Sequence, residues 1–164
     1  MDATLRNGFY AGLLLAVALG IFLFQLWRPA RQVELHSGNL IRAIERQDWK
    51  DLAGFIADNY EDQWGQDRAL LLERVRGVVG YARELHLQPW EAVVRGAETE
   101  EPFWRARLTV EGADNEVVLL IKQHVNVVAD PWELHWRKQS WKPWDWKLVR
   151  VRNPGFKLPQ GGLF

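Results

Sequence analysis

Asp58, Tyr60, Asp62 and Trp64 recur at every second position in the stretch DNYEDQW. A carboxylic acid beside a phenol can bind a polar ligand or pass a proton to it. The same residues also have a purely structural reading, in which Asp58 ends a helix and Tyr60 packs with its hydroxyl on backbone. Gln123 is the one polar side chain on the apolar rows described below, and it joins these four as a candidate pocket residue.

Other chemistries find less support. With no cysteine in the chain, thiol catalysis, disulfides and cysteine-held zinc or iron–sulfur groups are excluded. His36 and His86 lie far apart and show no ligand spacing. His124 shares a face with Lys122 and Asn126, and His135 shares one with Glu133 and Arg137; both faces read as solvated. There is no phosphate-cradling glycine loop, nucleophile elbow or metal-ligand helix. No metal and no cofactor are expected. The 21 basic and 21 acidic residues cancel, leaving no overall field to collect nucleic acid. Locally the balance breaks, since Trp132–Phe164 holds seven basic residues against two acidic ones. Within it, Lys138, Trp141 and Lys142 mark a turn that fits an anionic lipid surface or another partner.

The elements that must position these residues begin with an anchor. The 21 residues NGFYAGLLLAVALGIFLFQLW, Asn7 to Trp27, carry no charge. As a helix they reach about 30 Å, the hydrocarbon thickness of a bilayer. Residues 1–7 read as a short tail and 8–28 as an uncleaved single-pass transmembrane helix, with the lipid bilayer as its partner. Gly8, Gly12, Ala16 and Gly20 fall on one face, where small residues let two such helices approach. A short N-terminal tail before a large C-terminal domain places that domain outside the cytoplasm, although the arginines flanking the span are near a tie.

Residues 32–153 read as one α+β domain. Val33, Leu40, Ile41 and Ile44 share a helical face. Asp48 fits an N-cap before a second helix carrying Trp49, Leu52, Phe55 and Ile56, and Asp67 fits one before a third, Arg68 to about Ala82. The period then changes to two. RELHLQPWEAVVRG, broken or bulged at Pro89, FWRARLTV, NEVVLLIKQHVNVV, WELHWRK and WDWKLVRV read as consecutive strands of an antiparallel sheet. Residues 154–164 read as a flexible tail.

Three helices, with the stretch AIERQDWKDLAGFIADNYEDQWGQDRALLLERV carrying the pattern, followed by long strands, resemble the nuclear transport factor 2-like superfamily, the cystatin-like α+β cone. The resemblance implies a curved sheet wrapped around three helices; with the span at residues 8–28, the expectation is a bacterial member of that superfamily anchored in the cytoplasmic membrane. It places Asp58, Tyr60, Asp62 and Trp64 at the open end of the cone. It also implies a choice of functions, because the superfamily holds isomerases, cyclases, dehydratases and accessory domains without activity.

Alternation sorts the strand residues into faces. Trp104, Ala106, Leu108 and Val110; Val117, Leu119, Ile121, Val125 and Val127; Trp132, Leu134 and Trp136; and Trp144, Trp146 and Leu148 form inner rows. So greasy an interior leaves little room for catalysis. Phe103, Val118, Leu120, Val149 and Val151 fall on the outer face, a half-apolar surface suited to a homodimer. The expectation is therefore a membrane-anchored, non-catalytic binding, scaffolding or assembly domain. An isomerase, cyclase or dehydratase using the Asp58–Tyr60–Asp62 region is the first alternative, and a lipid-surface binding module the second.

Overall fold

The computed structural model describes residues 3–157 apart from 83 and 114. Met1, Asp2 and residues 158–164 of the expected tail lie outside the described residues. The elements in order are α1 (Ala3–Leu26), α2 (Pro29–Glu45), α3 (Trp49–Phe55), α4 (Arg68–Val79), β1 (His86–Arg95), β2 (Phe103–Glu111), α5 (Glu116–Val125), β3 (Trp132–Lys138) and β4 (Trp146–Arg152).

The break between α1 and α2 comes from local chemistry. Pro29 opens α2, its fixed φ suited to a first helical turn, while Arg28 stays extended. The Gln32 side chain donates to the Leu26 carbonyl at 2.8 Å and so satisfies an orphan group at the end of α1. Every residue from Tyr10 to Phe22 is exposed. No single helix among the described residues is long and apolar enough to cross a membrane, but the pair Tyr10–Leu26 and Pro29–Glu45, bent by 67°, meets that test together.

The next two helices start on carboxylates. Asp48 accepts from the Asp51 amide and Asp67 from the Leu70 amide, each satisfying a free N–H of the first turn. The sheet is antiparallel, with strand order β1-β2-β3-β4. Pro89 sits in register opposite Leu108 on edge strand β1, and the irregularity falls just beyond it, between Trp90 and Val93. Glu91 there takes a φ of +52°, a bulged conformation rather than a proline break. The outer edge of β4 is covered by the segment after α3. Ala57, Glu61 and Gln63 donate their amides to the carbonyls of Leu148, Val149 and Val151.

Two expectations fail here. The segment NEVVLLIKQHVNVV is no strand; its first ten residues from Glu116 form α5, capped by the Asn115 side chain on the Val118 amide. β2 pairs with β3 only through Phe103–Ala106. Farther along, where a further strand would pair, Asn126 clamps Val110 instead. Its Oδ1 accepts from the Val110 amide at 2.7 Å and its Nδ2 donates to the Val110 carbonyl at 3.1 Å. Gln123 is therefore an exposed helix residue, remote from any inner row. Val118 is fully buried beneath α5, Leu120 lies half-buried on the same helix, and Leu119 and Val127 are exposed.

The expected dimer face fails for a second reason. The β3–β4 register shifts between His135 and Trp136, so that His135 faces Arg150 while Trp136 faces Leu148. β4 thus carries one extra residue, and its side-chain alternation reverses beyond Leu148. Val149 turns inward and is buried, Val151 packs against the core, and Arg150 and Arg152 turn outward. Phe103 remains on the outer face. The five residues do not form a common surface.

Two connected cores result. The main one gathers Val33, Leu40, Leu52, Tyr60, Trp104, Trp136, Trp146 and Leu148, among others. The second holds Val79, Ala82, Leu85, Val110 and Val118. Ile44, Trp49, Val75 and Leu87 pack against both. Trp144, expected inside, is exposed in the turn before β4.

Candidate functional site

The segment from Asp58 to Trp64 is held against β4 by the amides named above, and this fixes where its side chains point. Asp58 faces solvent, its nearest cation Arg68 at 3.8 Å. Arg68 itself is engaged with the Ala53 and Ile56 carbonyls, at 2.9 and 3.2 Å. Tyr60 is buried in the main core. Asp62 is buried as well, and its Oδ1 accepts from the amides of Trp64 and Gln66, both at 2.9 Å. That is an Asx turn, which shapes the loop before α4.

What remains is an unusual pair. The Tyr60 hydroxyl and Asp62 Oδ2 are both buried, and neither makes a hydrogen bond of good geometry. Burial first, and then the neighbouring Asp62 carboxylate, push the phenol's pKa upward. Tyr60 therefore stays a neutral phenol around physiological pH. It is fit to donate a hydrogen bond and unfit to act as a base.

Trp64 is committed elsewhere. Its indole N–H donates to the Phe156 carbonyl at 3.2 Å, and its ring lies 6.3 Å from Trp132 and 5.7 Å from Phe156. Next to it, Gln63 and Asn153 exchange hydrogen bonds of 2.6 and 3.0 Å. The Asn153 side chain also donates to the Asp130 carbonyl and accepts from the amides of Gly155 and Phe156. Residues 154–156 of the expected loose tail are thus tied down. The Gln63–Asn153 and Trp64–Phe156 contacts join positions about ninety apart in the chain, so no local spacing announced them.

The expected sites do not converge. Asp58, Tyr60, Asp62 and Trp64 are neighbours with different tasks, and Gln123 is on another element. Two open clefts lie elsewhere. One of about 400 Å³ runs between Arg28, Arg31 and Glu34 and the β1–β2 residues Val93, Val94 and Trp104. One of about 300 Å³ is lined by His36, Phe55, Lys142, Trp144 and Lys147. Neither reaches Tyr60. No cluster of three or more metal-ligating side chains forms among the described residues.

The outer sheet face carries an ion-pair network that sequence spacing did not foretell. Glu101, from the β1–β2 turn, binds Arg137 at 2.6 Å and lies 3.7 Å from Arg150 and 3.4 Å from His135 Nδ1. Glu133 lies 3.4 Å from His135 Nε2. The Phe103 ring stacks on the imidazole at 4.9 Å, so His135 is buried and not solvated as expected. Burial lowers its pKa, although the flanking glutamates oppose that shift.

Asp62 and Tyr60 differ in what their removal should do. Asp62→Ala strips two amides of their acceptor and is expected to cost about 1–3 kcal/mol, whereas Tyr60→Phe should change stability by less than about 1 kcal/mol. Urea melts of the two variants check this. A larger loss from the phenylalanine variant would mean that the hydroxyl has a partner after all.

No protein-family model and no curated protein matches this chain. Solved structures do. Bd1075 of Bdellovibrio bacteriovorus is similar at 9% identity with a TM-score of 0.58, over 77% of this chain and 40% of that one. This chain therefore spans well under half of that protein. An NTF2-like protein of unknown function from Pseudomonas putida KT2440 is similar at 11% identity and TM-score 0.57, over 82% of this chain and 93% of that one. A candidate scytalone dehydratase from Novosphingobium aromaticivorans is similar at 11% identity and TM-score 0.55, over 78% and 87% of the two chains. At such identities the likeness is one of fold. The chain has the α+β fold of NTF2-like proteins, a fold that admits enzymes and non-enzymes alike.

Proposed function

We propose that this chain is a bilayer-anchored binding or scaffolding module, in which α1 crosses the membrane once and suspends the α+β domain. One observation carries the reading: α1 is apolar on all sides from Gly8 to Phe24, and every residue from Tyr10 to Phe22 is exposed among the described residues. Leu14, Leu15, Phe22 and Phe24 are each more than 60% exposed. At about 2 kcal/mol for each such side chain left in water, a helix of this kind needs an apolar surrounding. Tyr10–Leu26 alone is short for a bilayer. The helix itself begins at Ala3 and runs 24 residues, about 36 Å, and the uncharged run begins at Asn7. Gln25 and Trp27 then stand at the interface. The domain lies on the non-cytoplasmic face of the cytoplasmic membrane in this reading.

The interior supports a non-catalytic role. Tyr60, Trp104, Trp136, Trp146 and Leu148 fill the space between helices and sheet. With the outer-face dimer gone, self-association retains one route. A Cβ added at Gly8, Gly12 or Gly20 would meet no neighbouring element within 4 Å, and Ala16 is exposed on the same stripe.

The test is insertion of the full chain into liposomes, followed by alkaline extraction. The native chain is expected to stay with the lipid. Leu15→Arg combined with Leu19→Arg, at about 3 kcal/mol each near the helix centre, should release it. Equal release of both chains would refute the anchor. The buried Tyr60 hydroxyl beside the Asp62 carboxylate favours a second reading, acid–base chemistry of the dehydratase or isomerase kind, which requires a ligand to reach them. A ligand that protects Tyr60 from chemical modification would support it.

A further inference from the structure

We infer that the β3–β4 turn, Gln139–Asp145, docks on the headgroups of the same bilayer, with Trp141 and Trp144 at the interface and Lys138 and Lys142 on anionic lipid. The inference rests on the anchor reading above.

Trp141 is 83% exposed, against 56% for Trp90 and 54% for Trp144. An indole left so open exposes close to 200 Å² of mostly apolar surface, and amphipathic rings of this kind favour the headgroup level. The turn is held in shape. The Gln139 amide donates to the Asp145 carbonyl at 2.9 Å, the Asp145 amide to the Lys142 carbonyl at 3.2 Å, and the Trp146 indole to the Pro143 carbonyl at 2.9 Å. The exposed indoles are therefore displayed by a fixed scaffold. Lys138 and Lys142 are exposed beside them, with Asp145 the one acid in the turn, and each lysine near an anionic surface adds about 1 kcal/mol.

The bend keeps α2, and the cleft it shares with this turn, close to the membrane surface. With α1 along the bilayer normal, a 67° bend leaves α2 about 23° from the membrane plane. His36 lies eight residues beyond Arg28, about 12 Å along the helix, which is a descent of only about 5 Å. The headgroup layer is about 6 Å deep on each side. His36 lines one cleft together with Lys142 and Trp144, so the base of the turn lies within a cleft's width of that level.

The chain has no cysteine, so single probes can be placed on the full protein. Gln139→Cys and Leu15→Cys each carry an environment-sensitive fluorophore, in vesicles of phosphatidylcholine with or without phosphatidylglycerol and with brominated acyl chains as quencher. The expected result is quenching at both positions, with the Gln139→Cys signal stronger in phosphatidylglycerol and lost when Trp141→Ser and Lys142→Ser are added. Quenching at Leu15→Cys with a water-exposed probe at Gln139→Cys overturns the docking and leaves the anchor standing. A blue shift at Gln139→Cys without quenching means burial against protein and also overturns it. No quenching at either position removes the anchor, and the docking with it.

Discussion

Trp136→Ala is expected to unfold the domain or lower its stability by about 3–5 kcal/mol, a large share of the 5–15 kcal/mol of an ordinary domain. Trp136 has no exposed surface and belongs to the main core with Trp104, Trp146 and Leu148. Its indole N–H donates to the Ser37 hydroxyl at 2.9 Å, and its ring meets His36 at 5.6 Å. Truncation therefore opens a large cavity under α2 and strands a buried hydroxyl, since Ser37 is also fully buried. Trp136→Phe separates the two effects. It keeps most of the apolar volume and loses the hydrogen bond, so it should cost about 1–3 kcal/mol. Adding Ser37→Ala to the phenylalanine variant removes the stranded partner and should restore part of that loss. Denaturant midpoints of the three variants, read in the same detergent, decide the matter. If Trp136→Ala shifted the midpoint no more than Trp136→Phe, the tryptophan would not be filling a close-packed core.

The tryptophan rows were legible because two-residue alternation is a strong signal wherever a sheet has one buried face. Trp104, Ala106 and Val110 on β2, and Leu134 and Trp136 on β3, are buried as the alternation requires. The helix starts were legible for an equally local reason, since Asp48 and Asp67 each satisfy an amide three residues on. β4 was read correctly only up to its irregularity. One extra residue after Leu148 sends Val149 inward and Arg150 outward, and nothing in WDWKLVRV announces it. The candidate site was legible as a segment, while its roles were not. Asp62 is a turn former through one oxygen, and Trp64 and Gln63 serve contacts with Phe156 and Asn153. Partners so distant in the chain leave no trace in spacing.

The segment after Asn115 was misread because composition outweighed period. Val117, Val118, Val125, Val127 and Val128 are β-branched, and β-branched runs favour strands. Yet Asn115 is an N-cap, Glu116 stands in the first turn, and Lys122 and His124 stand in the last, the charge order that a helix dipole favours. Val117, Val118, Ile121 and Val125 also recur at helical spacing and meet the second core. Propensity is a weak prior, and here tertiary context overrides it.

That reassignment changes what one substitution means. On an outer sheet face, Val118→Arg would split a dimer and leave the fold intact. On α5 it forces a guanidinium into a position with 0% exposure, among Val79, Ala82, Leu85 and Val110. That cluster is apolar, and a charge forced among buried apolar side chains is among the few changes that cost more than about 4 kcal/mol. The expected result is loss of the cooperative thermal transition. Leu119→Arg, one position along and 45% exposed, should stay within about 0.5 kcal/mol of the native chain. The damage at Val118 should also reach the main core, because Ile44, Trp49, Val75 and Leu87 pack against both clusters. Circular dichroism melts of the two arginine variants distinguish the arrangements. A Val118→Arg chain that melted like the native one, with only its sedimentation changed, would put residues 116–125 back on a sheet surface and remove the helix that closes the second core.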